Sequence, residues 1–250
     1  MATTSVISRQ RPRAVVCVPT YNERENLEPM VRALATVLDT ERDVVLVIDD
    51  SSPDGTGELA DELAQQLEWV DVLHRRQKEG LGPAYIAGFR QAIAAQAELV
   101  LEMDCDFSHD PNDAARLIAA AEDADLVLGS RYAGGGSVSN WGLGRRIVSR
   151  GGSLYAQLML GVRVRDLTGG FKCFRRETLE RIDLDALSAR GYAFQIETTY
   201  RVLRAGLRVK EVPIAFTDRR VGESKMTKAI VAEAMWKVPV MRVRALTGRL

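Results

Sequence analysis

Two aspartates one residue apart could hold a divalent cation. They are Asp104 and Asp106, and they follow the run LVLEM at 99–103, which is typical of a buried strand. In an extended chain both carboxylates point to one side and Cys105 points to the other. Hard oxygen ligands suit Mg²⁺ or Mn²⁺, which commonly hold a substrate phosphate at their remaining positions. The pattern predicts a metal-diphosphate site, and an acidic turn that caps the helix after Pro111 is the alternative for so short a motif.

Two other predicted strands also end in acidic residues. AVVCV at 14–18 is followed by Glu23, and VVLVI at 44–48 is followed by Asp49 and Asp50. Strands that alternate with helices predict an α/β fold, a Rossmann-like and mostly parallel sheet with helices on both faces. Ligands bind such sheets at the carboxyl ends of the strands. We therefore expect the three acidic strand ends to meet at one edge of the sheet.

The glycine pattern disfavours two common classes of nucleotide-binding protein. No GxGxxG follows the first predicted strand, since Gly80 and Gly82 lie far downstream of it. This disfavours a dinucleotide-binding oxidoreductase. The chain also lacks the lysine loop of the P-loop proteins. A metal-dependent transferase with a nucleoside diphosphate as leaving group fits what remains.

The composition indicates one large domain, or a domain with an appendage, in a reducing compartment. The chain has 250 residues, 46% of them hydrophobic, and its three cysteines have neither paired nor metal-type spacing. No apolar core of a signal peptide and no run long enough to span a bilayer is present. We expect a flexible arm at 1–13, the main domain at 14–226 and a basic amphipathic tail at 227–250. The expected location is the cytoplasm, peripheral on the cytoplasmic face of the membrane.

The charges are segregated along the chain. Residues 1–140 carry 12 Lys and Arg against 24 Asp and Glu, whereas residues 141–250 carry 22 against 10. An acidic half suits metal binding, and a basic half suits an anionic substrate or a membrane surface. No recognised nucleic-acid motif is present, so nucleic acid is not expected as a partner.

Two basic segments of the second half carry apolar residues at helical spacing. One covers 145–159, and the other is the tail, in which Pro239 is expected to break the helix. Such helices suit the interface of a membrane or a membrane-anchoring subunit. A helix that simply faces the core with solvated arginines is the alternative. At the first helix, Asn22 and Glu25 resemble a capping box.

A series of motifs resembles those of dolichol-phosphate mannose synthases. The first are PTYNERENL at 19–27, IDDSSPDGT at 48–56, GLGPAY at 80–85, MDCDFSHDP at 103–111 and GSRY at 129–132. The others are RRIVSRG at 145–151, DLTGGFKCFRRE at 166–177, GYAFQIE at 191–197 and DRRVGESKM at 218–226. The resemblance implies a polyprenol-phosphate mannosyltransferase of glycosyltransferase family 2 with the GT-A fold. It also implies GDP-mannose as donor and a polyprenyl phosphate as acceptor.

The resemblance also implies roles for individual residues. It places the donor nucleotide against Pro19, Tyr21, Glu23, Ile48 and Asp50. It places the metal and diphosphate at Asp104, Cys105 and Asp106, with further phosphate contacts at Arg131, Arg219 and Lys225. The acceptor phosphate is assigned to Arg131, Arg145, Arg146 and Ser149. Cys105 stands where Ala is common, which we expect to be silent, and Ser108 stands where some members have Gln, so it is given no ligand role.

Transfer of a sugar from a nucleotide chiefly requires stabilisation of the departing diphosphate, which a metal and nearby cations supply. A lipid phosphate with a second pKa of about 6 is mostly dianionic at neutral pH, so a dedicated base is not required. Direct displacement would invert the anomeric centre. Asp166 is the candidate for a base or an acceptor-orienting carboxylate, and a cap for the turn at Thr168 is the alternative. A UDP-sugar-dependent transferase and a non-catalytic sugar-nucleotide-binding subunit remain as other functions.

Overall fold

The computed structural model of the chain describes residues 5–139, 142–187, 191–218 and 228–248, without the side chains at 143, 145, 192 and 228–231. The strands are β1 Ala14–Thr20, β2 Asp43–Asp49, β3 Val70–His74, β4 Leu99–Glu102, β5 Leu126–Ser130, β6 Ser137–Val138, β7 Lys172–Arg175, β8 Val209–Pro213 and β9 Ala215–Phe216. The helices are α1 Arg24–Ala35, α2 Thr56–Gln66, α3 Leu81–Ala94, α4 Pro111–Ala120, α5 Leu143–Leu160, α6 Arg176–Arg181, α7 Gly191–Arg204 and α8 Lys228–Leu246.

Seven strands form one sheet in the order β3-β2-β1-β4-β7-β5-β8. The β1 strand pairs in parallel with β2 and β4, β2 with β3, and β5 with β8. The exception is β7, which lies antiparallel between β4 and β5. The predicted mostly parallel sheet is thus confirmed. The small strands β6 and β9 pair separately.

Side-chain alternation along the strands builds a core on each face of the sheet. On β1, Val15 and Cys17 contribute to one core, whereas Val16 and Val18 contribute to the other. Helices α1, α2 and α4 cover the second face, and α3 and α5 to α8 cover the first. This arrangement explains why the central strands are continuous apolar runs: both of their faces are buried.

Helix α3 approaches the sheet unusually closely at Gly88. A Cβ atom at this position would lie 2.5 Å from Ile48 Cδ1 and 2.9 Å from Cys17 Sγ, both of them side chains on the sheet. Any larger residue would require the Ile48 and Cys17 side chains to shift. The close contact fixes the depth at which the first turn of α3 meets the carboxyl ends of β1 and β4.

Two local predictions are wrong. The capping box at Asn22 does not form, since Asn22 has a φ of 57° and α1 begins after Glu23 without a side-chain cap. Helix α8 continues through Pro239, although a proline removes one helical hydrogen bond. The apolar face of α8, with Val238 and Met241 buried, packs against α5 and α7, which offsets that cost. Among the described residues, no helix is both long and apolar enough to cross a membrane.

Candidate active site

The carboxyl ends of β2, β1 and β4 lie side by side. The main-chain N–H of Asp50 donates to the Thr20 carbonyl at 3.0 Å, and that of Met103 donates to the Cys17 carbonyl at 3.2 Å. Because the three strands are parallel neighbours, the loops that follow them meet at one edge. The acidic strand ends are therefore brought together by the sheet itself.

Asp49 and Asp50 serve different purposes at this edge. Asp49 accepts hydrogen bonds from the hydroxyl and main-chain N–H of Ser52, at 2.6 and 3.1 Å, and so closes the loop after β2. Asp50 forms an ion pair with Arg75, which also binds Glu79 at 2.5 Å. Burial raises the pKa of Asp50, and the Arg75 guanidinium opposes that rise. Asp50 is thus a carboxylate held at a fixed place on the edge.

The other residues predicted to bind the nucleotide lie in or just after the last turns of chain at the carboxyl ends of β1 and β2. Tyr21 follows β1 directly, and the Lys78 ammonium lies 3.6 Å from the centre of its ring. Pro19 is the penultimate residue of β1, and Glu23 accepts a hydrogen bond from the Asn26 side chain at 2.8 Å. Ile48 differs from them, because its side chain is fully buried in the core beneath the edge.

The acidic triplet lies in the turn after β4. Tyr85 donates its hydroxyl hydrogen bond to Asp104 Oδ1 at 3.1 Å, and the Asp104 N–H donates to His109 Nδ1 at 3.3 Å. The Oδ1 atom of Asp106 accepts the Ser108 N–H at 3.0 Å. Cys105 is buried in the apolar core of the opposite face. The turn therefore separates its apolar side chain from its two carboxylates.

The donor set of this turn fits a hard divalent cation. Within the described ranges, no group of three or more His, Cys, Asp and Glu side chains could hold a metal. Two carboxylates without further protein ligands are typical of a site where Mg²⁺ or Mn²⁺ keeps water and substrate phosphate in its coordination shell. Asp104 and Asp106 would hold such an ion.

Arg131 and Asp166 form a second centre at the end of β5. Arg131 donates to both carboxylate oxygens of Asp166, from Nε at 2.8 Å and from Nη2 at 2.6 Å, and its main-chain N–H adds a third bond at 2.9 Å. Nη2 also lies 2.8 Å from the Thr168 hydroxyl. Glu211 fixes the Asp166 loop from behind, since it accepts the Asp166 N–H at 3.1 Å. The two opposite charges of this pair are therefore held in a fixed geometry.

The remaining residues predicted to bind phosphate are placed unequally. Ser149 on α5 accepts a hydrogen bond from the Tyr132 hydroxyl at 2.8 Å, which ties the first half of α5 to the end of β5. Arg146 is exposed, and its Nη2 donates to the Val138 carbonyl at 3.1 Å. Arg145 belongs to α5, but its side chain lies outside the described part of the chain, as do Arg219 and Lys225.

A buried pair of oppositely charged side chains that the sequence analysis did not identify lies directly below the acidic turn. Glu102 and Lys172 are paired across β4 and β7, and both are fully buried. Lys172 Nζ donates to the Gln195 carbonyl at 2.8 Å, to the Gln195 side-chain oxygen, and to the Thr198 hydroxyl at 2.9 Å. Neither carboxylate oxygen of Glu102 accepts a hydrogen bond of ordinary geometry from a described residue.

Burial dominates the protonation of this pair. It raises the pKa of Glu102 to about 7, although the Lys172 ammonium and the Gln195 amide oppose the rise. It lowers the pKa of Lys172 to about 8, and Glu102 opposes that change. A charged residue in an otherwise apolar strand, such as Glu102 in LVLEM, is the signal that could have identified the pair.

Two further residues near the triplet, which the sequence motifs contain, were given no role by the sequence analysis. His109 is buried, stacked on Phe171 with ring centres 4.7 Å apart, and burial lowers its pKa. Tyr85 is fully buried, and burial together with the carboxylates of Asp104 and Glu102 raises the pKa of its hydroxyl well above the usual value. Both side chains therefore contact Asp104 as neutral groups. His109 accepts the hydrogen bond of its main-chain N–H, and Tyr85 donates to its carboxylate.

Known proteins resemble this chain over nearly its whole length. A sequence model described as glycosyl transferase family 2 matches residues 15–183. The chain is 47% identical to an undecaprenyl-phosphate mannosyltransferase of Micrococcus luteus over 226 residues, 90% of this chain and 92% of the relative. It is 46% identical to a polyprenol monophosphomannose synthase of Mycolicibacterium smegmatis over 244 residues, 97% and 90% of the two chains.

A solved structure resembles the fold. It is a mannosyltransferase from Pyrobaculum calidifontis in complex with GDP-Man and Mn²⁺, with a TM-score of 0.58 and 18% identity over 98% of this chain and 78% of the other. At this identity the similarity concerns the fold, and the expected GT-A type architecture is confirmed. With a family match of this extent and relatives of this identity along nine tenths of its length, the chain belongs to glycosyl transferase family 2.

Proposed function

We propose that the protein transfers mannose from GDP-mannose to a polyprenyl phosphate with inversion, giving polyprenyl-phosphate mannose and GDP. The observation that carries the proposal is the pair of carboxylates after β4, Asp104 and Asp106, at the edge where the loops after β1 and β2 also meet. The names of the Micrococcus and Mycolicibacterium relatives support the choice of sugar and acceptor. The GDP-Man in the Pyrobaculum structure supports the choice of donor.

The donor half of the reaction is assigned to the β1, β2 and β4 ends. A Mg²⁺ or Mn²⁺ ion bound there would neutralise the charge that develops on the leaving diphosphate. Asp104 and Asp106 hold that ion, and Cys105 contributes only its main chain at the surface of the turn. Asp50 and Tyr21 orient the nucleotide, with Pro19, Glu23 and the main chain of Ile48 beside them. Arg219 and Lys225 are proposed as further phosphate contacts.

The acceptor half is assigned to the end of β5 and the first half of α5. Arg131 would attract the lipid phosphate by its positive charge while it keeps its two-donor contact with Asp166. Arg145, Arg146 and Ser149 are proposed to complete the phosphate site. Two phosphate groups repel each other, so fixed cations are needed to bring the acceptor close to the anomeric carbon.

Asp166 is proposed to orient Arg131 rather than to take a proton. Both of its oxygens accept hydrogen bonds from Arg131, and its side chain is fully buried. A base must reach the acceptor oxygen, and a dianionic phosphate needs none. Asp166 acts by holding the Arg131 guanidinium in one orientation through these two hydrogen bonds.

The basic second half is proposed to lie on a lipid surface at the cytoplasmic face of the membrane. Helices α5 and α8 pack together, as the 2.9 Å hydrogen bond from the Tyr155 hydroxyl to the Met235 carbonyl indicates. Both expose large apolar side chains, with Leu158 74% and Trp236 75% exposed. Apolar side chains beside exposed arginines suit an interface with anionic lipid. A membrane-anchoring subunit is the other partner that this face could take.

Radiolabel transfer into an organic-extractable lipid tests the proposal. GDP-mannose and UDP-glucose are compared as donors with undecaprenyl phosphate as acceptor, with and without a chelator of divalent cations. We expect transfer from GDP-mannose, its loss on chelation and its recovery with Mn²⁺ or Mg²⁺. Transfer only from the uridine nucleotide would indicate a UDP-sugar enzyme. Nucleotide binding without any transfer would indicate a non-catalytic subunit.

A further inference from the structure

Tyr85 is the side chain by which helix α3 reaches the acidic turn. It occupies the first half of α3, and its hydroxyl lies 3.1 Å from Asp104 Oδ1. Its ring is fully buried between two other rings. The ring centres of Phe89 and Phe194 lie 6.0 and 6.2 Å away, and the ring of Phe194 is tilted by only 5° from that of Tyr85.

This packing restricts both groups of the hydrogen bond. The two neighbouring rings prevent Tyr85 from changing rotamer without displacing core side chains. The helix cannot move closer to the sheet either, because Gly88 one turn later already lies directly on it. Asp104 is held on its main-chain side by His109, which accepts its N–H at 3.3 Å. The carboxylate of Asp104 is therefore oriented by the Tyr85 hydroxyl, and its main chain is held by His109.

We propose that Tyr85 is a positioning residue of the cation site, whose hydroxyl fixes the rotamer of Asp104 before the metal and diphosphate arrive. The inference rests on the proposed role of Asp104 as a cation ligand. A carboxylate that is already oriented loses less conformational freedom when it binds an ion. Partners that orient metal ligands in this way typically contribute about 10- to 100-fold in metal affinity or activity. The orientation comes from α3 and α7, which carry the three rings of the stack.

Calorimetric titration of Mn²⁺ into the full chain with saturating GDP tests the proposal. We expect Tyr85→Phe, which removes only the hydroxyl, to weaken Mn²⁺ binding about tenfold. Tyr200→Phe is the matched control, because Tyr200 is also a fully buried tyrosine but lies on α7 with its hydroxyl 3.5 Å from Arg242. The control is expected to bind Mn²⁺ like the wild type. Unchanged or tighter Mn²⁺ binding by Tyr85→Phe would overturn the inference.

A second readout separates positioning from damage to the fold. In the transfer assay, excess Mn²⁺ is expected to restore most of the kcat of Tyr85→Phe, whereas a misfolded site would not respond to the ion. If Tyr85→Phe does not fold, Phe194→Leu loosens the stack and keeps the hydroxyl. It is expected to weaken Mn²⁺ binding by a smaller factor, and wild-type affinity would contradict the inference. If the wild type itself binds no Mn²⁺ with GDP, the proposed cation site fails instead.

Discussion

The guanidinium of Arg131 and the carboxylate of Asp166 form a bidentate ion pair that solvent hardly reaches, with 5% and 0% of the two side chains exposed. The two partners belong to the end of β5 and to the loop before β7, 35 residues apart. In the proposed acceptor site, where two phosphates must approach each other, this pair would hold the Arg131 guanidinium in a fixed orientation. The same burial makes the loss of either partner costly.

Asp166→Asn is expected to lower the free energy of unfolding by about 3–5 kcal/mol, since it leaves Arg131 buried without its counter-charge. Replacement of both partners by apolar residues, Arg131→Met with Asp166→Leu, is expected to recover much of that stability. Neither variant should transfer mannose. Urea unfolding measures the free energy of unfolding of each variant, and the radiolabel assay measures mannose transfer. A double variant as unstable as Asp166→Asn would show that the charges are not what couples the two positions.

Asp106→Ala is expected to abolish transfer while the fold survives, because Asp106 is proposed to hold the cation and its carboxylate accepts the Ser108 N–H within its own turn. Asp110→Ala is the control. Asp110 caps α4 in the same segment, so its loss should cost about 1 kcal/mol of stability and leave transfer intact. Circular dichroism and the transfer assay compare them. Normal turnover by Asp106→Ala would refute the assigned metal role.

The buried pair of Glu102 and Lys172 predicts a pH-dependent stability. The pKa of Glu102 is raised to about 7 in the folded chain, so the folded state binds more protons than the unfolded state above the usual glutamate pKa. Stability contributed by this group is therefore lost as the pH rises from the unfolded value to about 7. Glu102→Gln removes that loss. The free energy of unfolding of Glu102→Gln, relative to the wild type, is expected to rise between pH 5 and about pH 7.

The denaturation series that tests this uses urea at several pH values. Glu62→Gln serves as control, because Glu62 is an exposed carboxylate on α2, which packs beside β2 and β3 rather than beside the pair. The difference in free energy of unfolding between this control and the wild type should not rise between pH 5 and about pH 7. A constant difference between Glu102→Gln and the wild type across this range would mean that Glu102 is ionised throughout.

The exposed face of α5 and α8 predicts binding to anionic vesicles. Leu158→Glu with Trp236→Glu places two negative charges on that face and should reduce flotation with phosphatidylglycerol vesicles severalfold. Val6→Glu is the control, since Val6 is also exposed and apolar but belongs to the N-terminal segment. Both variants should still transfer mannose to a short, water-soluble acceptor. If the wild type stays entirely unbound, a protein partner is the better hypothesis for this face.

The sequence predicted what depends on local patterns. Apolar runs identified the central strands, and the residues after them, such as Asp50 and Asp104, reached the expected edge because parallel neighbours end together. The resemblance to the mannose synthases supplied the family, which the comparisons confirmed. Position along the chain was therefore enough to place these carboxylates at the edge of the sheet.

Features that depend on contacts between residues far apart in the sequence could not be predicted from local patterns. The antiparallel β7 joins β4 to β5, so that Lys172 faces Glu102 across 70 residues of chain, and neither residue signals the other locally. Asn22 fits a capping box by residue type, but the chain turns there with a positive φ instead. Pro239 is tolerated because tertiary packing outweighs one lost hydrogen bond. In each case contacts made by the folded chain override local preference.

The insertion of β7 between β4 and β5 also constrains how the molecule is assembled during translation. By the time β5 has left the ribosome, four parallel strands can already associate, yet the β4 edge still lacks its neighbour. That edge stays open until residues 172–175 emerge and close it. The two halves of the sheet can therefore join only after this late segment has been synthesised. A polypeptide released before that point would expose the unpaired edge of β4, to which another chain could pair.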